Sequence, residues 1–145
     1  SDQTVAPPSL DDELRILKEL NNVVSLHLGS TDVTNKGLSH VADLNSLQRL
    51  HLEKTSITDL GLAHLKGLKN LSYLNLYQTA VSDEGLKHLE GLKNLKQLFL
   101  WQSKVTPNGV NLLREVLPSV LIEQGWGPDS ASGSQNGSSK TKGTK

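Results

Sequence analysis

The chain has 145 residues, enough for one domain with its own core, and its 15 basic and 15 acidic residues cancel. Zero net charge provides no long-range field for nucleic acid or an anionic membrane, and the absence of cysteine excludes disulfides, a thiolate nucleophile and a sulfur metal site. No apolar run approaches the roughly 20 residues of a membrane span, no signal peptide is visible, and methionine is absent, so Ser1 is expected to lie inside a longer precursor.

Residues 1–8 (SDQTVAPP) are polar and end in proline, which predicts a flexible lead-in. Residues 9–22 predict a capping helix or half repeat. Ser9 and Asp12 have the spacing of a capping box, and Leu10, Leu14, Leu17 and Leu20 follow at helical intervals. The step from Leu14, Leu17 and Leu20 to Leu38, Val41 and Leu44 is also the step from Leu26 to Leu50, so this segment is in phase with the periodic part of the chain.

From 23 to 126 the sequence repeats with a fixed period of about 24 residues, a length in the range of solenoid repeats. Leu26, Leu50, Leu74 and Leu98 correspond, as do Leu28, Leu52, Leu76 and Leu100, and Gly37, Gly61, Gly85 and Gly109. Such a period predicts a solenoid, in which each repeat buries its apolar face against its neighbours. About four repeats are expected, at 23–46, 47–70, 71–94 and 95–119, with a closing strand carrying Val120 and Ile122. Each opens with an alternating segment such as Leu71-Ser-Tyr-Leu74-Asn-Leu76, a short strand with its leucines inward. A helix follows, with Thr34, Thr58, Ser82 or Thr106 at its N-cap and, in the fourth repeat, Pro107 directly after it. The recurrent glycine falls inside the first helical turn, where it costs about 1 kcal/mol relative to alanine, so close approach of the next coil is expected. The fourth repeat degrades, and Leu117-Pro118 adds a residue before the closing strand. Residues 127–145 (GPDSASGSQNGSSKTKGTK) have one alanine as their only apolar side chain and predict a disordered tail.

The frame L-x-x-L-x-L-x-x-T-x-[VI]-[TS]-x-x-G-L resembles leucine-rich repeats over about 14–122, with threonine at the usual asparagine position. The resemblance implies an α/β, right-handed leucine-rich repeat solenoid with parallel strands on the concave face and helices on the convex face. Bacterial repeats and the repeat tails of F-box adaptors are similar in this respect. The closing stretch LFLWQSKVTPNGVNLLREVLPSVLIEQGW resembles the C-terminal repeats of exported planctomycete proteins that carry a c-type cytochrome domain. That likeness implies an extracytoplasmic bacterial protein, periplasmic or secreted. No Cys-x-x-Cys-His is present, so no haem function carries over, and no F-box segment is present either.

In such a solenoid the non-leucine strand residues point outward, which gives the triplets Ser25-His27-Gly29, Arg49-His51-Glu53, Tyr73-Asn75-Tyr77 and Gln97-Phe99-Trp101. Four of the five aromatic residues (Tyr73, Tyr77, Phe99, Trp101) thereby fall on two adjacent strands, with Tyr77 and Trp101 in one column and Asn75 and Phe99 in another. Clustered exposed aromatics are the usual composition of an interface hot spot. The expected function is non-catalytic binding of a protein or peptide at Tyr73, Asn75, Tyr77, Gln97, Phe99 and Trp101, rimmed by Arg49, His51, Glu53 and Lys54. Cover by Leu121, Trp126 or a neighbouring domain is the competing reading of the patch. The alternative functions are a docking domain of a larger exported envelope or cytochrome protein, and an adaptor of an F-box-like degradation system.

No cofactor, metal or catalytic residue is expected. His27 and His51 are column neighbours with Glu53 as the one nearby carboxylate, too few ligands for a metal site. His40, His64 and His88 repeat on the helical side as half-exposed packing residues. Thr31, Thr55, Thr79 and Ser103 form a hydroxyl column with no recurrent base beside it, so they are expected to bond backbone at the corner after each strand. Asp83 and Glu84 sit at a helix start, where carboxylates favour the macrodipole.

Overall fold

The computed structural model describes residues 9–20 and 22–124. The lead-in 1–8, the tail 127–145 and Trp126 lie outside the described residues. Strands β1 (Ser25–His27), β2 (Arg49–His51), β3 (Tyr73–Asn75), β4 (Gln97–Phe99) and β5 (Leu121–Glu123) form one parallel sheet whose spatial order is their chain order. The register is the sequence period itself, with Leu26, Leu50, Leu74, Leu98 and Ile122 directly opposite one another. Each coil therefore meets only its neighbours, as a solenoid requires.

The helical side of the coils is short in all but the last. Helices α1 (Leu10–Glu13), α2 (Asn35–Leu38), α3 (Asp59–Leu62) and α4 (Asp83–Leu86) are one turn each, and all but α2 tighten directly into 3-10 segments. The last, α5 (Pro107–Val116), runs for 10 residues. Between sheet and helices the leucines close up completely: Leu50, Leu52, Leu74 and Leu76 are fully buried, in a core continuous from Leu14 to Ile122. Leu20, in phase with the buried Leu44, is half exposed because the chain leaves its 3-10 segment at that residue. The extra residue at Leu117-Pro118 does not shift the final strand. Val120 and Ile122 are two apart where Leu95 and Leu98 are three apart, so the surplus is absorbed and Ile122 pairs with Leu98.

The hydroxyl column behaves as expected: Thr31, Thr55, Thr79 and Ser103 donate to the carbonyls of Leu28, Leu52, Leu76 and Leu100 at 2.5–2.8 Å. Thr34, Thr58 and Thr106 cap their helices, accepting from Lys36, Leu60 and Gly109 N–H groups. Ser82 occupies the cap position without a side-chain cap bond, and its hydroxyl donates to Asp59 of the preceding coil at 2.5 Å.

That contact belongs to a ladder between coils. The Asp59 carboxylate also accepts the Ser82 N–H at 2.6 Å. Asp83 holds Thr106 in the same way, at 2.8 Å to the N–H and 2.5 Å to the hydroxyl, and Asp11 holds Thr34 through both groups. Asn35 makes the equivalent pair with Thr58, accepting its N–H at 2.9 Å and donating to its hydroxyl at 2.7 Å. Asp83 is thus an inter-coil latch rather than only a partner of the helix dipole. Glu84 beside it is exposed and pairs with Lys87 at 3.0 Å.

The latch explains the recurrent glycine. A Cβ at Gly37, Gly61, Gly85 or Gly109 would collide with the side-chain oxygen of Asp11, Asn35, Asp59 or Asp83 respectively. The close approach is to the preceding coil, not the next one.

A second periodic feature carries no glycine at all. Ser30, Lys54, Gln78 and Gln102, each just past its strand, have φ between 57° and 62°. This left-handed conformation is costly for residues with a Cβ. The backbone N–H groups of Ser30, Lys54 and Gln78 donate to the carbonyls of Glu53, Tyr77 and Trp101 at 2.8 Å, extending the ladder beyond the strands and offsetting that cost.

Candidate functional site

Because Leu26, Leu50, Leu74, Leu98 and Ile122 occupy the inner side of the strands, the intervening residues cover the outer face of the sheet. The strands are very short, so Gly29, Glu53, Tyr77 and Trp101 lie in the turns just after them rather than on them. Trp101 is 47% exposed there, while Tyr73, Asn75, Tyr77, Gln97 and Phe99 are half-buried. Gln97 lies in register between Tyr73 and Leu121, and Leu121 is itself exposed, extending the face instead of covering it.

The rings do not stack strictly by column. His27 and His51 are parallel neighbours, 4.0 Å between centroids and 12° between planes. From His51 the row steps diagonally to Tyr73, at 4.8 Å, and from Tyr73 to Phe99, at 5.4 Å. Phe99 is opposite Asn75 in backbone register, yet its ring contact is with Tyr73, since long side chains lean along the strand and reach diagonal neighbours. Tyr77 and Trp101 do meet within their column, 5.7 Å apart and tilted by 54°. Asn75 braces the arrangement: its Oδ1 accepts the Tyr77 N–H at 3.0 Å and its Nδ2 lies 3.4 Å from the Tyr73 hydroxyl.

Two basic side chains lie against these rings. The Arg49 guanidinium carbon is 4.1 Å from the Tyr73 centroid, and the Lys54 ammonium is 5.8 Å from that of Tyr77. Glu53 folds back over Gly29, filling the space where a Cβ would stand, and approaches His51 Nδ1 at 3.6 Å. Burial depresses the His51 pKa below the ordinary imidazole range; His27 and Arg49 act in the same sense, and Glu53 opposes them. The neutral form suits its face-to-face stacking on His27. Among the described residues no group of three or more His, Asp or Glu is arranged to hold a metal ion. No described helix is long and apolar enough to cross a membrane.

Between the Tyr77–Trp101 pair and the end of the sheet lies an open cleft of about 450 Å³, lined by Asn75, Tyr77, Phe99, Trp101 and Glu123. Its size is in the range of small-ligand and side-chain pockets, about 300–1,000 Å³. Glu123 is the one lining residue that sequence reasoning missed. The signal was present, since Glu123 stands one period after Phe99 and pairs with it in the sheet. The surplus residue at Pro118 obscured the register.

No family model matches the sequence, and no curated protein does either. Solved structures do share the fold. A leucine-rich repeat protein of Leptospira interrogans aligns with a TM-score of 0.59 and 22% identity over 83% of this chain and 28% of that one. Actin-binding site 2 of leiomodin-1 aligns at 0.63 and 16% identity, over 82% of this chain and 80% of that one. The plant peptide hormone receptor RGFR1, in complex with RGF2, aligns at 0.52 and 19% identity over 76% of this chain and 18% of that one. Together with the sheet register and the latches, these likenesses identify the architecture as an α/β leucine-rich repeat solenoid. The chain spans little more than a quarter of the Leptospira structure.

Proposed function

We propose that this leucine-rich repeat solenoid is a non-catalytic module that binds a protein or peptide on the outer, concave face of its sheet. The observation that carries the reading is the half-exposed aromatic row ending in an open cleft, built from four of the chain's five aromatic residues. Aromatics concentrated on one face with polar neighbours are the composition of an energetic hot spot. Arg49, His51 and Glu53 form the polar margin on one side and Glu123 on the other. The same fold in leiomodin-1 is named for binding actin, and in the plant receptor it is complexed with RGF2, which supports this use of the fold. The resemblance of the stretch 98–126 to exported planctomycete proteins supports an extracytoplasmic setting, within a larger bacterial protein.

The test is selection of a displayed random-peptide library on the full chain, followed by binding of the selected peptides to Tyr77→Ala/Trp101→Ala. Truncation of two hot-spot aromatics, typically at least about 2 kcal/mol each, should abolish measurable binding. The double variant should keep most of its thermal stability, because Trp101 is largely exposed and Tyr77 half-buried, outside the leucine core. Selected peptides that bind the double variant as tightly as the original chain would refute the proposal.

A further inference from the structure

The cleft is not uniformly apolar, and its one charged lining residue is acidic. Glu123 is exposed and makes no ion pair with another described residue. Around it stand three rings, of Tyr77, Phe99 and Trp101, the first and last tilted by 54° to each other beside an open cleft. Asn75 keeps a carbonyl lone pair beyond the one used by the Tyr77 N–H. Ring faces carry negative charge density, so a carboxylate beside ring faces favours a cationic guest over an anionic or neutral one.

The same face already holds such a guest internally. Arg49 lies with its guanidinium 4.1 Å from the Tyr73 centroid, one coil away from the cleft. A guanidinium suits the cleft better than an ammonium for two reasons. It is planar and weakly hydrated, so it can lie against a ring, and its fork of N–H donors matches a carboxylate and an amide oxygen at once.

We infer that the Tyr77–Phe99–Trp101 cleft is a receptor for an arginine side chain of the bound peptide or protein, with the guanidinium between the rings and its N–H groups donating to Glu123 and Asn75. This rests on the proposed binding function and specifies what that surface recognises.

The probe is the capped tripeptide Gly-Arg-Gly, titrated into the full chain and followed by the Trp101 indole N–H and the Leu100 and Gln102 amides in nitrogen–proton correlation spectra. A Trp101→Phe sample distinguishes that indole from Trp126. The controls are the same tripeptide with citrulline, which has nearly the same shape without the charge, and with norleucine. The arginine peptide should shift these resonances saturably, and the citrulline peptide should bind about tenfold more weakly, a factor in keeping with one charge-assisted, ring-stacked contact. Glu123→Gln should remove most of that difference. Equal binding of citrulline, a preference for norleucine, or an arginine-to-citrulline ratio unchanged by Glu123→Gln would each overturn the inference. So would the absence of any shift with the arginine peptide. None of these results touches the broader binding proposal, which fails only if library-selected peptides ignore Tyr77 and Trp101.

Discussion

Asp59 offers the sharpest test of how the coils are joined, because the molecule contains its own control. The carboxylate accepts the Ser82 backbone N–H at 2.6 Å and the Ser82 hydroxyl at 2.5 Å in a partly buried setting. Asp59→Ala deletes both bonds and leaves the N–H facing the gap, and Ser82 has no side-chain cap bond to substitute. Hydrogen bonds to a charged group contribute about 1.5–3 kcal/mol, and an orphaned donor costs about 1–3 kcal/mol, so with partial relaxation the loss should be about 2–4 kcal/mol. Asp59→Asn should lose less than about 1 kcal/mol, because Asn35 makes the same two contacts with Thr58 one coil earlier. In urea, with a slope of about 2 kcal/mol per molar, alanine should lower the midpoint by about 1–2 M and asparagine by less than about 0.5 M. An alanine variant within about 0.5 kcal/mol of the original, the ordinary range for surface changes, would refute the latch as an energetic element. An asparagine variant as damaging as alanine would refute the equivalence of the two kinds of latch.

Gly85→Ala should destabilise by about 1–3 kcal/mol as judged by urea melts, despite alanine's better helix propensity, because its Cβ meets the Asp59 carboxylate and Leu62. Gly67→Ala, where a Cβ meets nothing within 4 Å, should be neutral or stabilise by up to about 1 kcal/mol, and a loss there would be contrary to expectation. Leu74→Ala removes a fully buried side chain at the centre of the leucine column and should cost about 2–5 kcal/mol in one cooperative unfolding step; an unmoved midpoint would mean the register is wrong. The His51 pKa is lowered in the folded state, so the unfolded chain takes up that proton first. The corresponding stability is therefore complete at neutral pH, declines as pH falls through the ordinary value of 6.5, and is gone below the folded-state value. Comparing urea midpoints between pH 7.5 and 5 should show a shallower decline for His51→Gln, whereas parallel curves would exclude His51 as a source of the pH dependence.

Most of the architecture could be read from spacing, because an inward leucine column tolerates little else: Leu50, Leu74 and Leu98 reveal period, register and core together. The hydroxyl column and the cap positions were legible for a related reason, since threonine or serine at a fixed offset answers a backbone need that recurs in every coil. The latch was not legible. Asp11, Asn35, Asp59 and Asp83 look like ordinary helix-start residues, and only the folded chain shows that their second role lies at the cap of the next coil. The left-handed turns at Ser30, Lys54, Gln78 and Gln102 carried no signal either: sequence reading assigns that conformation to glycine, whereas at the first three an inter-coil backbone bond supports it. On the binding face, column logic placed Tyr77 beside Trp101 but missed the diagonal contact of Tyr73 with Phe99. That contact depends on side-chain lean, which spacing does not encode.

The latch also makes array length an independent variable. Each bond pair joins the first turn of one coil to the cap of the next, so excising residues 59–82 would leave Asn35 on Thr58 and Asp83 on Thr106, with no latch cut in half. Duplicating the same segment would add one complete pair. At the far end the corresponding position is Pro107, which has neither side-chain oxygen nor amide hydrogen to offer a further coil. The solenoid is thus open to insertion and deletion in whole turns within its middle, while its last turn lacks the hook on which another could be hung.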